Sequence, residues 1–341
     1  MKTNHEIPNT FHIAARAAQW LEYESEEELE ELIASGSITQ PCLHVGAGSN
    51  LLFVGDYPGT VLHSRIRGIE REEWVELNGP GDGHFPPQGE VYLRIGAGEL
   101  WDDVVAYCVD HNYYGTENLS LIPGEMGAAA VQNIGAYGME VSQLIVQVET
   151  VGLDGKRRIY PAETCRYGYR TSLFKQPEMK GVFITRVLLR LSLHEHYTID
   201  YGRIGDELRQ QGPLSLKAVR QAIIRIRQSK LPDPAVLGNA GSFFKNPVVS
   251  PAQFESLLQR YPAMPSYPAP DGVKIPAGWL IEQCGWKGRA LGPAAVHHRQ
   301  ALVLVNLGKA TAHDILALAR AVQEAVADRF GINLEPEVNV I

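Results

Sequence analysis

The sequence lacks the basic segments and long apolar stretches that are typical of proteins that bind nucleic acids or membranes. Its 39 Asp and Glu residues outnumber its 31 Lys and Arg residues, the net charge is -8, and no segment is rich in basic residues. This balance argues against nucleic acid or anionic lipid as the main partner. No stretch of about 18 apolar residues could span a bilayer, and residues 1–13 lack the apolar segment of a secretory signal. We expect a cytoplasmic protein that does not bind membranes.

Cysteine is also scarce. The four cysteines (42, 108, 165 and 284) are far apart and form no Cys-x-x-Cys pair, so reduced thiols are expected rather than a disulfide framework or a zinc site. The adjacent His297 and His298 would point to opposite faces of a strand. We therefore predict that no metal is bound.

Glycine and alanine, by contrast, are concentrated in one place, the glycine-rich segment at residues 122–138. Gly124, Gly127, Gly135 and Gly138 lie in it. Glycine tolerates positive φ and lets other groups approach the backbone closely. Consecutive amides could then form a nest that binds phosphate, with a buried, tightly packed loop as the alternative.

Two Gly-x-Gly turns, at Gly46 and Gly96, each follow a predicted strand. A dinucleotide fingerprint requires Gly or Ala three residues after the second glycine, but Leu51 and Trp101 occupy these positions. The Walker pattern is absent as well. The turn at residues 46–50 and the glycine-rich segment therefore require a diphosphate-binding architecture that is neither Rossmann nor P-loop.

Periodicity and capping residues predict the principal elements. Ser25 and Glu28 form a capping-box pattern, and Thr311 and Gly331 bracket a long helix. A turn-rich surface loop is expected at 78–90. Helices are predicted at 25–36, 100–112, 215–229, 276–284 and 311–329, and strands at 43–45, 91–95, 144–153, 181–193 and 301–306, with a strand-like tail at 334–341.

The motifs together resemble a known family. The turn at 46–50 and the glycine-rich segment are similar to the flavin-binding module of the vanillyl-alcohol-oxidase (PCMH) type. Together with five further motifs in the same order, they resemble the type I subgroup of the UDP-N-acetylenolpyruvoylglucosamine reductase (MurB) family. These five are Tyr-Gly-Tyr-Arg-Thr-Ser-Leu-Phe-Lys (167–175), Lys-Leu-Pro-Asp-Pro (230–234), Gly-Asn-Ala-Gly-Ser-Phe-Phe-Lys-Asn-Pro (238–247), Pro-Ala-Gly-Trp-Leu-Ile-Glu-Gln-Cys-Gly (276–285) and Glu-Pro-Glu-Val (335–338).

The resemblance implies an α+β fold with a two-part FAD-binding module and a smaller α/β substrate-binding domain. We expect the first FAD-binding subdomain at 1–70, the second at 71–230 and the substrate domain at 231–329. The C-terminal tail, 330–341, is expected to pack back on the first subdomain. The family acts on small molecules, and we expect a monomer.

The resemblance also implies a reaction of peptidoglycan precursor synthesis. NADPH would reduce a non-covalently bound FAD. The flavin would then pass hydride to the enolpyruvyl group of UDP-N-acetylglucosamine enolpyruvate, giving UDP-N-acetylmuramate. Negative charge grows on the substrate carboxylate as hydride adds, so the site must stabilise an enolate and then protonate carbon.

Three residues match the family's catalytic positions. Arg170 would bind the substrate carboxylate, for which a guanidinium fork is well suited. Ser242 would protonate the carbon intermediate. Glu337, if burial keeps it protonated, would donate a hydrogen bond to the enolate; Glu335 is the competing choice and is expected to face solvent.

Further residues are assigned to binding by the same resemblance. Glu125 departs from the family, many of whose members have Ser or Thr there, and a carboxylate would repel a diphosphate unless it turned away. Tyr267 lies between prolines in a predicted loop and is a candidate lid over the substrate. The cofactor set is Gly46, Ala47, Gly48, Ser49, Asn50, Pro123, Gly124, Gly127, Ala128, Gln132, Asn133, Gly135, Ala136, Tyr137 and Gly138, and the substrate set is Tyr169, Tyr201, Lys230, Lys245, Asn246, Tyr267 and Gln300.

Two other interpretations remain open on the sequence. Another flavoprotein with the same module, such as an oxidase of a small alcohol or sugar, would leave Ser242, Lys245 and Glu337 unexplained. A non-catalytic UDP-sugar-binding protein would leave the Gly-x-Gly-Ser-Asn turn unexplained. His63 would be the candidate for a covalent flavin link, but its neighbours offer no support for one.

Overall fold

The computed structural model describes residues 2–76, 83–209 and 212–341. The predicted loop at 78–90 lies partly outside these ranges. Side-chain caps fix several helix starts: Ser25 accepts from the amide of Glu28, and Thr311 forms a reciprocal capping box with Asp314. The helices are α1 (Glu26–Ala34), α2 (Trp101–Asp110), α3 (Met126–Gln132), α4 (Ile204–Leu208), α5 (Leu216–Lys230), α6 (Pro251–Arg260), α7 (Ala277–Gln283) and α8 (Ala312–Phe330).

The strands are short except for four of eight to eleven residues. They are β1 (Lys2–Glu6), β2 (Arg16–Tyr23), β3 (Cys42–Val45), β4 (Leu51–Leu52), β5 (Tyr57–Ser64), β6 (Ile69–Glu72), β7 (Val75–Glu76), β8 (Gly83–His84), β9 (Glu90–Gly96), β10 (Gly135–Ala136), β11 (Met139–Glu140), β12 (Ile145–Gly152), β13 (Arg157–Pro161), β14 (Val182–Ser192), β15 (Asn239–Ser242), β16 (Val248–Val249), β17 (Tyr267–Ala269), β18 (Gly272–Lys274), β19 (Ala290–Leu291), β20 (Ala294–Val296), β21 (Val303–Asn306) and β22 (Asn339–Val340).

The chain divides into two units, the first formed by Met1–His5, Ala17–Ala47 and Tyr57–Arg227. One of its sheets has the order β1-β2-β5-β3, in which β5 runs parallel to both β2 and β3. A second, larger sheet is antiparallel, with the order β13-β12-β14-β9-β6. Helices α2 and α3 pack on this second sheet around the buried Trp101 and Met126, and this packing fixes the glycine-rich segment.

The second unit comprises Glu6–Arg16, Gly48–Asp56 and Gln228–Ile341. It contains two antiparallel sheets, β15-β21-β20-β19 and β16-β18-β17. Helix α8 presents buried apolar side chains from Ile315 to Phe330 to one core, which it shares with α7 and the paired Phe243 and Phe244. Strand β22, near the C-terminus, pairs in parallel with β4.

The structure bears out the predicted helices and strands to within a few residues, apart from the tail. Of residues 334–341 only Asn339–Val340 is a strand, preceded by a bridge between Phe244 and Pro336. None of the helices among the described residues is long and apolar enough to cross a membrane. The predicted domain boundaries at residues 70, 230 and 329 stay predictions.

Candidate active site

The glycine-rich segment is not a continuous loop, because residues Met126–Gln132 form helix α3. Gly124 and Gly138 have positive φ, at 123° and 82°. Gly127 and Gly135 do not use the positive φ that glycine permits. Asn133 and Tyr137, with φ of 45° and 50°, take the left-handed conformation in their place.

Helix α3 uses two of the amides that were expected to face a phosphate. The amide of Met126 donates to the carbonyl of Glu99 at 2.8 Å, and that of Gly127 donates to the carbonyl of Ala97 at 2.9 Å. A Cβ at Gly127 would lie 3.0 Å from the Ala97 methyl group. Gly127 is therefore required for close packing, as the alternative of a buried loop proposed, and does not belong to an open amide nest.

The end of α3 is held by the fully buried Asn133. Its side-chain amide donates to the carbonyl of Gly168 at 2.8 Å and to the carboxylate of Glu140 at 3.0 Å, and its Oδ1 accepts from the amide of Ser142. Nearby, Gln132 accepts from the ammonium of Lys175 at 2.9 Å. These contacts give Gln132 and Asn133 structural roles, and their contact with a cofactor stays a prediction.

Arg170 is held against the same segment. Its guanidinium donates to the carbonyls of Asn133, at 3.2 Å, and of Gly135. A Cβ at Gly135 would lie 2.8 Å from Arg170 Nη1, which explains the glycine there. The guanidinium carbon lies 5.2 Å from the centre of the Tyr169 ring, within cation–π range. The structure thus places Arg170, Tyr169 and Gly135 together.

Two buried polar side chains, Asn118 and Arg227, lie beside Tyr137, and each has one atom without a hydrogen-bond partner among the described residues. Asn118 donates to the carbonyl of Tyr137 at 2.9 Å, and the Tyr201 ring lies edge-on to the Tyr137 ring at 6.4 Å. In the described part of the chain, Asn118 Oδ1 and Arg227 Nε are buried without a hydrogen-bond partner. Buried polar atoms normally have partners, so this region fits a polar group bound beside Tyr137, with Arg227 as the nearby positive charge.

Glu125 precedes α3 and turns towards His63. Its Oε1 lies 2.9 Å from His63 Nε2, and both residues are buried. The other carboxylate oxygen faces the turn at residues 46–50, since a Cβ at Gly46 would lie 3.1 Å from Glu125 Oε2. The second ring nitrogen of His63 lies 3.3 Å from Glu22 Oε1, so carboxylates contact both nitrogens.

In the second unit, the rest of the turn packs tightly. Gly48 has φ of 65°, and a Cβ there would lie 2.2 Å from the carbonyl oxygen of Pro8, so only glycine fits. Asn50 donates from its side chain to the carbonyl of Glu337 at 3.2 Å and accepts from the amide of Asn339 at 3.1 Å. The turn thereby holds the segment that carries Glu337.

In the second unit, the segment that follows Ser242 is paired with the segment that carries Glu337. The amide of Glu337 donates to the carbonyl of Phe243 at 2.8 Å, and the amide of Lys245 donates to the carbonyl of Glu335 at 2.9 Å. Both Ser242 and Glu337 are half-buried. The Glu335 side chain is 76% exposed and lies 3.5 Å from the Lys245 ammonium, so Glu335 faces solvent as expected.

Two residues assigned to substrate binding lie at the start of α7. Asn246 Oδ1 accepts from the amide of Ala277 at 2.9 Å and so caps the helix. A Cβ at Gly278 would lie 3.1 Å from Gln300 Oε1, which places Gln300 beside the same turn. Lys230, the last residue of α5, is exposed.

Tyr267 is not in a loop. It begins strand β17, pairs with Lys274 of β18 and is 44% exposed. The prediction of a proline-stiffened loop was wrong because Pro268, which cannot donate a ladder hydrogen bond, is accommodated on an edge strand. A lid movement of Tyr267 stays a prediction.

Sequence reasoning missed Arg227 and the partnership of His63 with Glu125. Arg227 has a signal, since it lies one helical turn before the Lys-Leu-Pro-Asp-Pro motif on α5. The contact between His63 and Glu125 has no signal in the sequence, because the two residues are 62 positions apart.

Comparisons with known proteins agree with this arrangement. Residues 17–159 match a family model described as a FAD binding domain, and residues 233–341 match the UDP-N-acetylenolpyruvoylglucosamine reductase C-terminal domain. The chain is 56% identical to a reductase of that name from Bacteroides fragilis, over 98% of this chain and 97% of the relative, and 48% identical to one from Porphyromonas gingivalis, over 98% and 96%. The crystal structure of a reductase of this kind (MurB) from Thermus caldophilus matches with a TM-score of 0.66 and 25% identity, covering 97% of this chain and 95% of that one. These matches confirm the predicted flavin-binding module and the α+β fold class.

Proposed function

The chain belongs to the UDP-N-acetylenolpyruvoylglucosamine reductase family, and we propose that it reduces UDP-N-acetylglucosamine enolpyruvate to UDP-N-acetylmuramate with hydride from NADPH. It is an oxidoreductase with a FAD-binding domain. The observation that carries the proposal is the backbone hydrogen bond between Glu337 and Phe243, because it pairs the segment that carries Glu337 with the segment that carries the half-buried Ser242. Neither alternative function requires this pair.

FAD, when bound, supplies the hydride relay between NADPH and the enolpyruvyl group. The cofactor would be held by the turn at residues 46–50, the glycine-rich segment and the polar groups around Tyr137. Asn118 offers an acceptor and Arg227 a donor there, and an arginine stays charged at physiological pH. The residues present fit an anionic, polar cofactor.

We assign the proton to the hydroxyl of Ser242. A serine hydroxyl is a weak acid, so it suits only a strongly basic carbon. The neighbouring Phe243 is buried and limits access of water from that side. A protonated Glu337 would donate a hydrogen bond to the enolate oxygen, where charge develops during hydride addition.

Arg170 is proposed to bind the substrate carboxylate. Its guanidinium is 15% exposed and already donates to backbone carbonyls of the glycine-rich segment. A bound carboxylate would share the guanidinium with those carbonyls or replace one of them. The charge-assisted hydrogen bond to a carboxylate is stronger than the hydrogen bond to a backbone carbonyl. Tyr169 would then position the guanidinium through the contact of its ring.

We assign binding of the UDP moiety to lysine side chains together with neutral polar side chains. Lys230 is exposed and available to a phosphate. The Lys245 ammonium pairs with the exposed Glu335, and such a surface ion pair is weak enough to be exchanged for a phosphate. Asn246 and Gln300 meet at the start of α7. The full proposed set is Tyr169, Tyr201, Lys230, Lys245, Asn246, Tyr267 and Gln300.

The test is product formation by the purified protein. Incubation with NADPH and the enolpyruvyl sugar should yield a product heavier by two hydrogens, identified by mass spectrometry as UDP-N-acetylmuramate. UDP-N-acetylglucosamine, which lacks the enolpyruvyl group, should give no NADPH oxidation, and NADH in place of NADPH measures the donor preference. Consumption of a small alcohol or sugar instead would favour the oxidase alternative. Binding of UDP-sugar without any flavin would favour the non-catalytic one.

The place of this reaction in peptidoglycan precursor synthesis follows from the family. The cytoplasmic location and the monomeric state stay predictions, and sedimentation of the purified protein measures the second.

A further inference from the structure

The buried pair of His63 and Glu125 lies next to part of the proposed diphosphate site. Glu125 is 5% exposed, and its two oxygens face different groups: Oε1 faces His63 Nε2 at 2.9 Å, and Oε2 faces Gly46. Gly46 is the first residue of the turn at residues 46–50. An unneutralised carboxylate at this position would repel a diphosphate, because two negative charges in a poorly solvated site interact strongly.

His63 can neutralise this carboxylate. Its ring nitrogens lie 2.9 Å from Glu125 and 3.3 Å from Glu22. A neutral imidazole has one N–H donor, whereas imidazolium has two, so two ionised carboxylates can both be satisfied only by the protonated ring. Burial lowers the pKa of His63, but the hydrogen bonds and charges of Glu125 and Glu22 outweigh it and raise the pKa.

The other groups around the ring leave this assignment unchanged. On β2, the Trp20 ring lies 5.6 Å from that of His63, and Glu22 is itself approached by Lys2 and Arg65 at 3.8 Å and 3.9 Å. On β3, burial and the charge of His63 lower the pKa of His44 to about 4. His44 is therefore neutral near pH 7, and His63 is the cation that faces Glu125.

We propose that His63 is a positioning residue for the flavin: as an imidazolium it neutralises Glu125 and holds the carboxylate away from the cofactor diphosphate, which makes FAD affinity depend on pH. The inference rests on the proposed placement of the diphosphate at the turn at residues 46–50. It accounts for the tolerance of a glutamate beside the turn at residues 46–50. It also engages both ring nitrogens of His63 without any bond to flavin.

The direction of the pH effect follows from the raised pKa. Below the pKa of His63 the pair is neutral overall and the diphosphate binds. Above it His63 loses its proton and no longer neutralises the carboxylate of Glu125, so FAD is released more readily. Because one proton is involved, the Kd rises by at most about tenfold per pH unit.

The experiment measures FAD release from the holoprotein. Flavin fluorescence, recorded over a dilution series, gives the Kd at pH values between about 6.5 and about 9. For the natural protein we expect a rise of roughly fivefold or more over this range. His63→Gln should weaken binding roughly tenfold or more at the low-pH end, whereas Glu125→Gln should bind within about threefold of the natural protein, with no pH dependence. The double variant H63Q/E125Q should regain most of the affinity that H63Q loses.

His111→Gln is the matched control, because His111 is exposed, its ring lies against the rings of Tyr107 and Tyr113, and its Nδ1 lies 2.8 Å from the Tyr107 carbonyl oxygen. A pH dependence that persists unchanged in E125Q would overturn the proposal, and so would a double variant as weak as H63Q. If H63Q does not fold, the pH curves of the natural protein and E125Q still decide the question.

A fourth variant separates this inference from the proposed site. Gly46→Val places side-chain atoms against Glu125 at the turn. If it leaves the Kd unchanged, the diphosphate does not bind at this turn, and the site placement fails together with the inference. If it weakens FAD binding while H63Q and E125Q have no effect at any pH, the placement stands and the role of His63 is overturned.

Discussion

The backbone amide of Glu337 donates a 2.8 Å hydrogen bond to the carbonyl of Phe243, the residue that follows Ser242. A chain end is usually free to fray, but this bond and the pairing of β22 with β4 fix the last residues. Two segments far apart in sequence, one carrying Ser242 and the other carrying Glu337, are thus paired through their backbones. The proposed protonation chemistry depends on that relationship.

Ser242→Ala removes the proposed proton donor. NADPH should still reduce the bound flavin at its normal rate, because that step needs no proton from Ser242. Reduction of the enolpyruvyl sugar should fall by roughly 10²–10⁴-fold. Stopped-flow absorbance of the flavin measures the two half-reactions separately. Ser250→Ala, which removes only the cap of α6, is the control, and an equal loss in both half-reactions would rule out the assigned role.

Glu337→Gln keeps the shape of the side chain but removes the acid. We expect substrate reduction to slow by roughly 10²–10³-fold, the usual effect of losing a donor to a developing oxyanion. Glu335→Gln is a matched control two residues away with an exposed side chain, and its kcat should stay within about twofold. If both variants behave alike, the choice of Glu337 is wrong.

Arg170→Lys tests the guanidinium fork. Lysine is a point charge and does not reproduce the paired donors of arginine. We expect kcat/KM for the enolpyruvyl sugar to drop by an amount corresponding to about 1.5–3 kcal/mol. Arg166→Lys serves for comparison, since Arg166 also has positive φ but pairs with Glu178 at the surface. An Arg170→Lys variant with natural kcat/KM would contradict carboxylate binding by Arg170.

Asp102 should contribute to stability in a pH-dependent way. Burial raises the pKa of Asp102, but the Arg220 guanidinium, at 2.7 Å, and the Leu121 amide lower it further, so the folded pKa lies below the unfolded one. Its contribution is present above the unfolded pKa of about 3.9 and is lost as pH falls through the folded value. Asp102→Asn should lower the free energy of unfolding by about 1–3 kcal/mol at pH 7.

Urea unfolding at pH 7 and at about pH 3 measures this effect. The difference between Asp102→Asn and the natural protein should shrink at the acidic pH. The exposed Asp103→Asn on the same helix should show little difference at either pH. A difference for Asp102→Asn that grows as pH falls would contradict the pairing with Arg220.

The sequence allowed the elements with local signals to be predicted. Ser25 and Thr311 begin helices because their side chains bond to amides three residues ahead, and such spacing is visible without a structure. Helix α3 was missed because its Gly-Ala composition has no apolar periodicity. Its position is determined by bonds to Ala97 and Glu99, which no local pattern reveals.

The site was predictable to a lesser degree. The motif around Ser242 named the residues, but only the structure shows that Glu335 is 76% exposed whereas Glu337 is half-buried. The effect of Glu125 on FAD binding stays a prediction, and its contact with a histidine on β5 could not be seen in the sequence. Asn246 shows a further limit of prediction from sequence. Its side chain caps α7, and the sequence does not distinguish an asparagine that caps a helix from one that contacts a ligand, because both roles use the same side-chain amide.

The most direct test of the account is an anaerobic single-turnover experiment on the flavin spectrum of the purified protein. NADPH should bleach the flavin bands, and UDP-N-acetylglucosamine enolpyruvate, added next, should restore them while UDP-N-acetylmuramate forms. Bleaching by NADPH without recovery on addition of the enolpyruvyl sugar would contradict the proposed substrate and, with it, the roles assigned to Arg170, Ser242 and Glu337.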